Sequence, residues 1–267
     1  MEGKNNATIL DQLADYARER TRQAKAKIPP EEIRRQALSL PRGTFAFEQA
    51  LRKPGISFIC ECKKASPSKG LIAPDFPCLQ IARDYEAAGA DCISVLTEPK
   101  WFLGSNAYLQ EIADAVTIPC LRKDFTVDDY MIYEAKTLGA SAVLLICAIL
   151  TAEELRTSID LCDALGLSAL VEAHDEAEVE MALKAGARII GVNNRNLRDF
   201  SVNTDNSRRL RELIPRDRLF VSESGVSGPQ DVAKLRDIGT DAVLIGEALM
   251  RAPDKKAMLA RLRGTTL

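Results

Sequence analysis

A single histidine in 267 residues is the first constraint on what this chain can do. With only His174 available, a Ser-His-Asp triad and metal-dependent hydrolysis are both poor fits. Charge of one sign is lacking too: the net charge of −2 gives no reason to expect nucleic acid or an anionic membrane as partner. No apolar run approaches the ~20 residues that a membrane span needs. The longest, 142–150, reads as a buried parallel strand rich in Val, Ile and Leu. The N-terminus has no apolar core of a secretion signal, and Glu2, Asp11, Asp15 and Glu19 argue against a transit peptide. Low-complexity tracts and interdomain linkers are absent, as is the G-x-G-x-x-G turn of a doubly wound sheet. Seven scattered cysteines, an odd number, read as those of a reduced, cytoplasmic protein. Cys60 and Cys62 form no zinc site, because neither a second cysteine pair nor a nearby histidine completes it.

What is present is concentrated first in Ile59-Cys-Glu-Cys-Lys-Lys-Ala-Ser-Pro-Ser-Lys-Gly70. Residues two apart on a strand share a face, so Glu61 and Lys63 point the same way, and Cys60 and Cys62 the other. A turn rich in hydroxyl and backbone donors follows. An acid, an amine and an anion-binding loop in one place suit an enzyme acting on a phosphorylated or carboxylated small molecule.

A weak internal repeat sets the architecture. Gly89, Gly139, Gly186 and Gly239 each follow a helical pattern and launch a β-branched strand. Further strands are expected near 57–64, 119–125, 167–174 and 219–225. Eight strands alternating with helices predict an α/β fold, a single (β/α)8 TIM barrel. Thr151 with Glu154 and Ser227 with Gln230 fit capping boxes, and Asp75, Asp128 and Asp175 stand where N-caps belong. Ahead of the barrel, helices over 9–26 and 31–40 form an N-terminal helical extension with no strand of its own. Residues 1–267 thus read as one domain, with 1–45 the extension and 57–264 the barrel. No fused second enzyme is expected.

In such a barrel the active site lies at the carboxyl ends of the strands. Strand one brings Glu61, Lys63 and the Ser66 loop; strand two leads to Phe102; strand three brings Lys123 and Phe125; strand four Leu144 and Ile146. Strand five ends in Glu172, with His174 on the same side, where a rim hydrogen bond is the expected role. Strand six brings Asn193 and Arg195, strand seven Glu223, Ser224 and Gly225, and strand eight Gly246 and Glu247. Taken singly, each has a plainer reading. Glu61 and Lys63 fit a structural ion pair equally well, Lys123 a solvated charge, Glu172 a rim carboxylate, and Phe102 and Phe125 core. The glycine turns after strands seven and eight are the recurrent phosphate site of this fold. The joint placement of two lysines, several carboxylates and an amide is what singles out the set.

Read in order, these segments resemble the indole-3-glycerol-phosphate synthase family of tryptophan biosynthesis. The resemblance rests on Ile59 to Gly70, on Ile-Ser-Val-Leu-Thr-Glu with Trp-Phe-Leu-Gly-Ser, and on Leu-Arg-Lys-Asp-Phe. It continues through Leu-Val-Glu-Ala-His, Ile-Ile-Gly-Val-Asn-Asn-Arg-Asn-Leu, Val-Ser-Glu-Ser-Gly-Val and Leu-Ile-Gly-Glu-Ala-Leu-Met. Cys62, Trp101 and Glu247 depart mildly from the family's usual residues.

The resemblance implies ring closure, decarboxylation and dehydration of 1-(2-carboxyphenylamino)-1-deoxyribulose 5-phosphate, with no cofactor and no metal. It implies that Lys123 is the acid for ring closure and Glu172 the carboxylate near the anilinium nitrogen. Lys63 would hold the substrate carboxylate and act in dehydration with Glu61. Asn193 and Ser224 would orient polar groups, and Ser66, Gly225 and Gly246 would cradle the phosphate. Arg195 would support the site electrostatically, with Glu223 and Glu247 in the same binding set. Phe102, Phe125, Leu144, Ile146 and Leu197 would line the anthranilate pocket. The expected partner is that phosphorylated small molecule, the expected state a monomer, with at most weak association with other enzymes of the pathway. The alternatives are a phosphoribosylanthranilate isomerase-like barrel, which would need a Cys/Asp acid–base pair, and a non-catalytic phosphosugar-binding barrel.

Overall fold

Strand-forming residues alternate between two destinations, and that alternation builds the barrel. The computed structural model describes residues 8–196 and 200–265. Eight parallel strands close on themselves: β1 (Ser57–Cys62), β2 (Cys92–Leu96), β3 (Cys120–Lys123), β4 (Ala142–Ile146), β5 (Ser168–Ala173), β6 (Ile189–Asn193), β7 (Leu219–Glu223) and β8 (Ala242–Ile245). Each pairs with its chain neighbours, and β8 pairs with β1 through Ser57↔Ala242 to Cys60↔Ile245. The helices are α1 (Ile9–Lys27), α2 (Pro30–Ser39), α3 (Ala46–Leu51), α4 (Cys78–Ala87), α5 (Asn106–Ala115), α6 (Asp129–Thr137), α7 (Ala152–Leu165), α8 (Glu176–Ala185), α9 (Asp205–Arg211), α10 (Pro229–Asp237), α11 (Glu247–Arg251) and α12 (Lys255–Arg263). Among the described residues, no helix is long and apolar enough to cross a membrane.

Outward residues such as Phe58, Cys60, Cys62, Val95, Leu145 and Phe220 are buried against the helices. Inward residues fill the barrel in layers taken from alternate strands. Cys92, Ala142, Ile189 and Ala242 come from even strands. Ile59, Leu121, Leu170 and Val221 come from odd strands. Above them the even strands supply Ser94, Leu144, Gly191 and Leu244. The odd strands then supply Glu61, Lys123, Glu172 and Glu223, where the apolar stack ends. All seven cysteines are free and buried. Burial raises their pKa values, taking the Cys78 thiol to about 11 and Cys120 to about 12.

The extension wraps the barrel from mouth to base. α1 starts with a capping box in which Thr8 N–H donates to Asp11 at 2.8 Å and Asp11 N–H donates to Thr8 Oγ1 at 3.2 Å. Its buried residues Leu13 and Ala17 join the cluster that fills the barrel interior. Arg20 donates to Asp124 just past β3, and Lys25 to Asp128, so α1 is tied to the mouth. α2 packs along α6, and α3 sends Phe47 and Leu51 into the interior cluster from the other end.

Three local expectations need correction. The apolar run 142–150 is not one strand: β4 ends at Ile146 and a 3-10 turn takes Cys147–Ile149. Asp75 caps nothing, because α4 starts at Cys78 behind Pro77. At α10 the box is shifted by one residue. Pro229 takes the first helical position, Gly228 becomes the N-cap, and Asp231, not Gln230, accepts from Ser227 and Gly228. Thr151 with Glu154, Asp128 and Asp175 cap their helices as read from the sequence.

Candidate active site

A cavity of about 790 Å³ opens at the carboxyl ends of the strands. Its floor is the topmost odd-strand layer, three carboxylates and one amine: Glu61, Lys123, Glu172 and Glu223. Every catalytic or binding candidate from the sequence lines this cavity except Leu197, which lies outside the described residues, while His174 stands just outside it.

The strand ends are held rigidly from outside. Arg122 on β3 and Asp124 just past it turn into a buried network behind the strand, while Lys123 points in. Arg122, 1% exposed, donates to Met131 O, Asn106, Thr97 and Glu134. Asp124 accepts from Arg20, Thr97 and the Phe125 N–H. Buried charges survive only when paired and hydrogen-bonded like this. After β2, Glu98 accepts from the N–H groups of Lys100, Trp101 and Phe102, which fixes the loop carrying Phe102. Phe102 lies 6.1 Å from Phe125, centroid to centroid, and with Leu144 and Ile146 these rings make one apolar wall. From α1, Ile9 and Leu13 complete the lining.

Lys123 Nζ lies 3.4 Å from Glu172 Oε2 and 3.4 Å from Glu223 Oε2. Burial disfavours its charge, but Glu223, Glu172 and Glu61 outweigh that and raise its pKa above the ordinary lysine range. The carboxylates respond differently. Burial, with the nearby Glu172 charge, pushes Glu223 up to about 7 against the pull of Lys123. Glu172 is also buried, yet Lys123, His174 and a hydrogen bond from Asn193 hold it below its ordinary value. Glu61 and Lys63 form a second pair at 2.6 Å.

Two glycines make room for these acids. A methyl group at Gly246 would collide with Glu61 Oε1 and come within 2.8 Å of Lys63 Nζ. A methyl at Gly191 would collide with Glu223 Oε1 and reach 3.3 Å from its Cδ.

Across the mouth, Ser224 adopts φ 66°, a left-handed conformation uncommon outside glycine, followed by Gly225 at φ 89°. Ser224 Oγ donates to Asn193 Oδ1 at 2.9 Å, and that same oxygen accepts from Arg195 N–H at 3.0 Å. The Arg195 guanidinium donates to Phe200 O. Ser66 sits on a small hairpin, Ala65–Ser66 with Gly70–Leu71, just past β1, and lines the cavity together with the turns at Gly225 and Gly246 that follow the adjoining β7 and β8. Lys69 of that hairpin reaches 3.6 Å from Glu247, which also pairs with Arg251. His174 stands at the rim as expected, bound to Glu178 at 3.2 Å.

Several contributors escaped the sequence reading. Gly191 looked like any strand residue of the repeat. Asp124 looked like part of a charge run. Ile9 and Leu13 carried only a helical periodicity.

Comparison with known proteins gives one consistent answer. The family model described as indole-3-glycerol phosphate synthase matches residues 10–262. A protein of that name from Ruminiclostridium cellulolyticum is 55% identical over 258 residues, covering 96% of this chain and 99% of that one. Another of the same name, from Lachnoclostridium phytofermentans, is 48% identical, covering 96% and 98%. Among solved structures, 3-hexulose-6-phosphate synthase from Salmonella typhimurium superposes with a TM-score of 0.64 at 15% identity, over 78% of this chain and 97% of that one, a likeness of fold alone.

Proposed function

The chain belongs to the indole-3-glycerol phosphate synthase family, and from that premise we propose how the barrel mouth carries the reaction. The family is a carboxy-lyase of tryptophan biosynthesis. The substrate is 1-(2-carboxyphenylamino)-1-deoxyribulose 5-phosphate: its ring carbon attacks the ketose carbonyl, carbon dioxide leaves, and loss of water aromatises the indole. The aniline ring is already electron-rich, so the protein's work is positioning and proton delivery.

Lys123 protonates the ketose oxygen as the new carbon–carbon bond forms. A lysine held this firmly in its charged form gives up a proton reluctantly. Glu223, titrating at about 7, lies 3.4 Å away and carries the proton that replaces it. Ring attack places positive charge on the aniline nitrogen, and the ionised Glu172 offsets it until carbon dioxide departs. Lys63 holds the substrate carboxylate and then delivers a proton to the leaving hydroxyl, with Glu61 as its partner at 2.6 Å. Asn193 and Ser224 orient the sugar, while Phe102, Phe125, Leu144 and Ile146 grip the anthranilate ring. The phosphate sits among Ser66, Gly225 and Gly246, with Arg195 nearby. Free thiols throughout suit a reducing, cytoplasmic setting.

The observation that carries this reading is the single amine held between two carboxylates on the cavity floor. Binding a phosphosugar gives no use for that arrangement, whereas an amine that donates a proton and a neighbouring acid that replaces it need each other at this distance. The test is turnover of the substrate followed by indole fluorescence, with phosphate located in a complex with a product analogue. Absence of turnover, or phosphate at the opposite end of the barrel, would overturn it.

A further inference from the structure

Lys123 does not choose between its two carboxylates, since both lie at 3.4 Å. Their surroundings differ. Glu223 Oε1 is buried without a hydrogen-bond partner. Glu172 Oε1 instead faces the imidazole of His174, whose Nε2 is 3.5 Å away and has no other partner. The imidazole is fixed from behind. Its Nδ1 lies 3.2 Å from Glu178 Oε2, and that oxygen also accepts the His174 backbone N–H at 2.7 Å. The His174 carbonyl accepts from Asn206 at 3.0 Å. A ring with a carboxylate at each nitrogen is suited to carrying both protons.

We propose that His174 is a positioning residue that decides where the proton shared around Lys123 resides: its imidazolium, anchored by Glu178, keeps Glu172 ionised and leaves the proton on Glu223. The inference rests on the reading of Glu172 given above. Other charged groups near the ring are committed elsewhere. On α8, Asp175 caps the helix by accepting from Glu178 N–H. On α1, Asp11 is taken up by Thr8. Beyond β6, Arg195 donates to Phe200 O, and on α9 Arg209 pairs with Glu176 and Asn206. That leaves Glu178 on the outer side, and Glu172 with the more distant Glu223 on the inner side. Burial works against the charged ring, but these acids prevail and raise its pKa.

The sign follows. Without the imidazolium, Glu172 competes with Glu223 for the proton at and below neutral pH. Well above the titration of His174 the ring is neutral in the wild type too, and both carboxylates are ionised. His174→Gln should therefore lose about tenfold in kcat/KM near pH 6, the effect of roughly one unit in a carboxylate's pKa, and recover to within about twofold by pH 9. A purely structural role would lower the rate equally at all pH values.

The test uses the fact that this histidine is the only one in the chain. NMR of the labelled imidazole reads its titration without assignment, in the wild type and in Glu172→Gln and Glu178→Gln. Coupling is reciprocal, so whatever His174 does to Glu172 must appear in the ring's own titration. The expected result is a ring titrating above 6.5 that moves down in each variant, together with the pH-confined rate loss in His174→Gln. A titration indifferent to Glu172→Gln, or a pH-independent rate loss, would overturn the proposal. Turnover of Glu172→Gln separates the two levels. If that variant is fully active, the reading of Glu172 itself fails and takes this inference with it. If it is inactive while the ring ignores it, only the inference fails.

Discussion

Replacing Gly191 by alanine is the sharpest perturbation available, because a single methyl group would reach Glu223 without touching any polar partner. Gly191 lies in the even-strand layer just under the charged one, and its φ does not fall among the positive values, so alanine meets no backbone strain. The added Cβ would collide with Glu223 Oε1, stand 3.3 Å from its Cδ and press 3.2 Å from Leu170 Cδ1. The carboxylate must retreat by roughly 1 Å to regain ordinary contact distance. Leu170 blocks one side, so the movement takes Glu223 out of register with Lys123. Stability should fall by no more than about 2.5 kcal/mol and the protein should stay folded: overpacking costs about 1–3 kcal/mol, and replacing a strand glycine returns about 0.5–1 kcal/mol. Turnover should fall at least about a hundredfold, since displacements of this size at a reacting centre typically cost that much. The assay pairs urea unfolding with single-turnover indole fluorescence, in the wild-type and Glu223→Ala backgrounds. With Glu223 gone, the methyl meets only Leu170 and should add little further loss of turnover. Wild-type turnover in Gly191→Ala, or an equal loss in both backgrounds, would refute the reasoning.

Three further outcomes are expected. Lys123→Met should stay folded and bind a product analogue but turn over at least about a hundredfold more slowly; Lys123→Arg should fare no better in a single-turnover assay, because a guanidinium keeps the charge but not the transferable proton. Since Glu223 is raised to about 7 on folding, its contribution to stability is present at low pH and lost as pH rises through that value. Unfolding free energies from pH 5 to 8 should show the wild type losing up to about 3 kcal/mol relative to Glu223→Gln, and a flat difference would contradict the shift. Deleting residues 1–40 removes Ile9 and Leu13 from the cavity wall. It should raise KM at least about tenfold, as the loss of one buried apolar contact implies, while unfolding stays cooperative; loss of the cooperative transition would make the extension structural.

The barrel was readable because its signals are local. Gly89, Gly139, Gly186 and Gly239 each mark a helix end followed by a β-branched strand. The Glu61–Lys63 pair was readable because two-residue spacing puts both on one face. That Lys123 lies between Glu172 and Glu223 was not readable, because the three come from different strands and meet only through closure and stagger of the ring. The link between His174 and Glu172 was half visible, since both share a strand face, but the anchoring by Glu178 depends on how α8 leaves β5. Gly191 gave no signal at all, because its importance lies in an atom it lacks. The tether from Arg20 to Asp124 spans 104 residues and joins two ordinary surface-like charges.

The seven buried thiols make the barrel its own reporter. None lies beyond residue 162: five sit on β1–β3 and α4, while Cys147, in the turn after β4, and Cys162, on α7, lie where the first half of the ring packs on β5 and α8. A thiolate must form and a reagent must enter before any of them reacts, and burial opposes both steps. In native protein a thiol-labelling reagent in excess therefore measures how often that half of the ring comes apart. The strands β6–β8 carry no thiol and stay silent. Mass-resolved labelling would show whether the seven react together, as one cooperative unit does, or in groups that map separate openings along the ring.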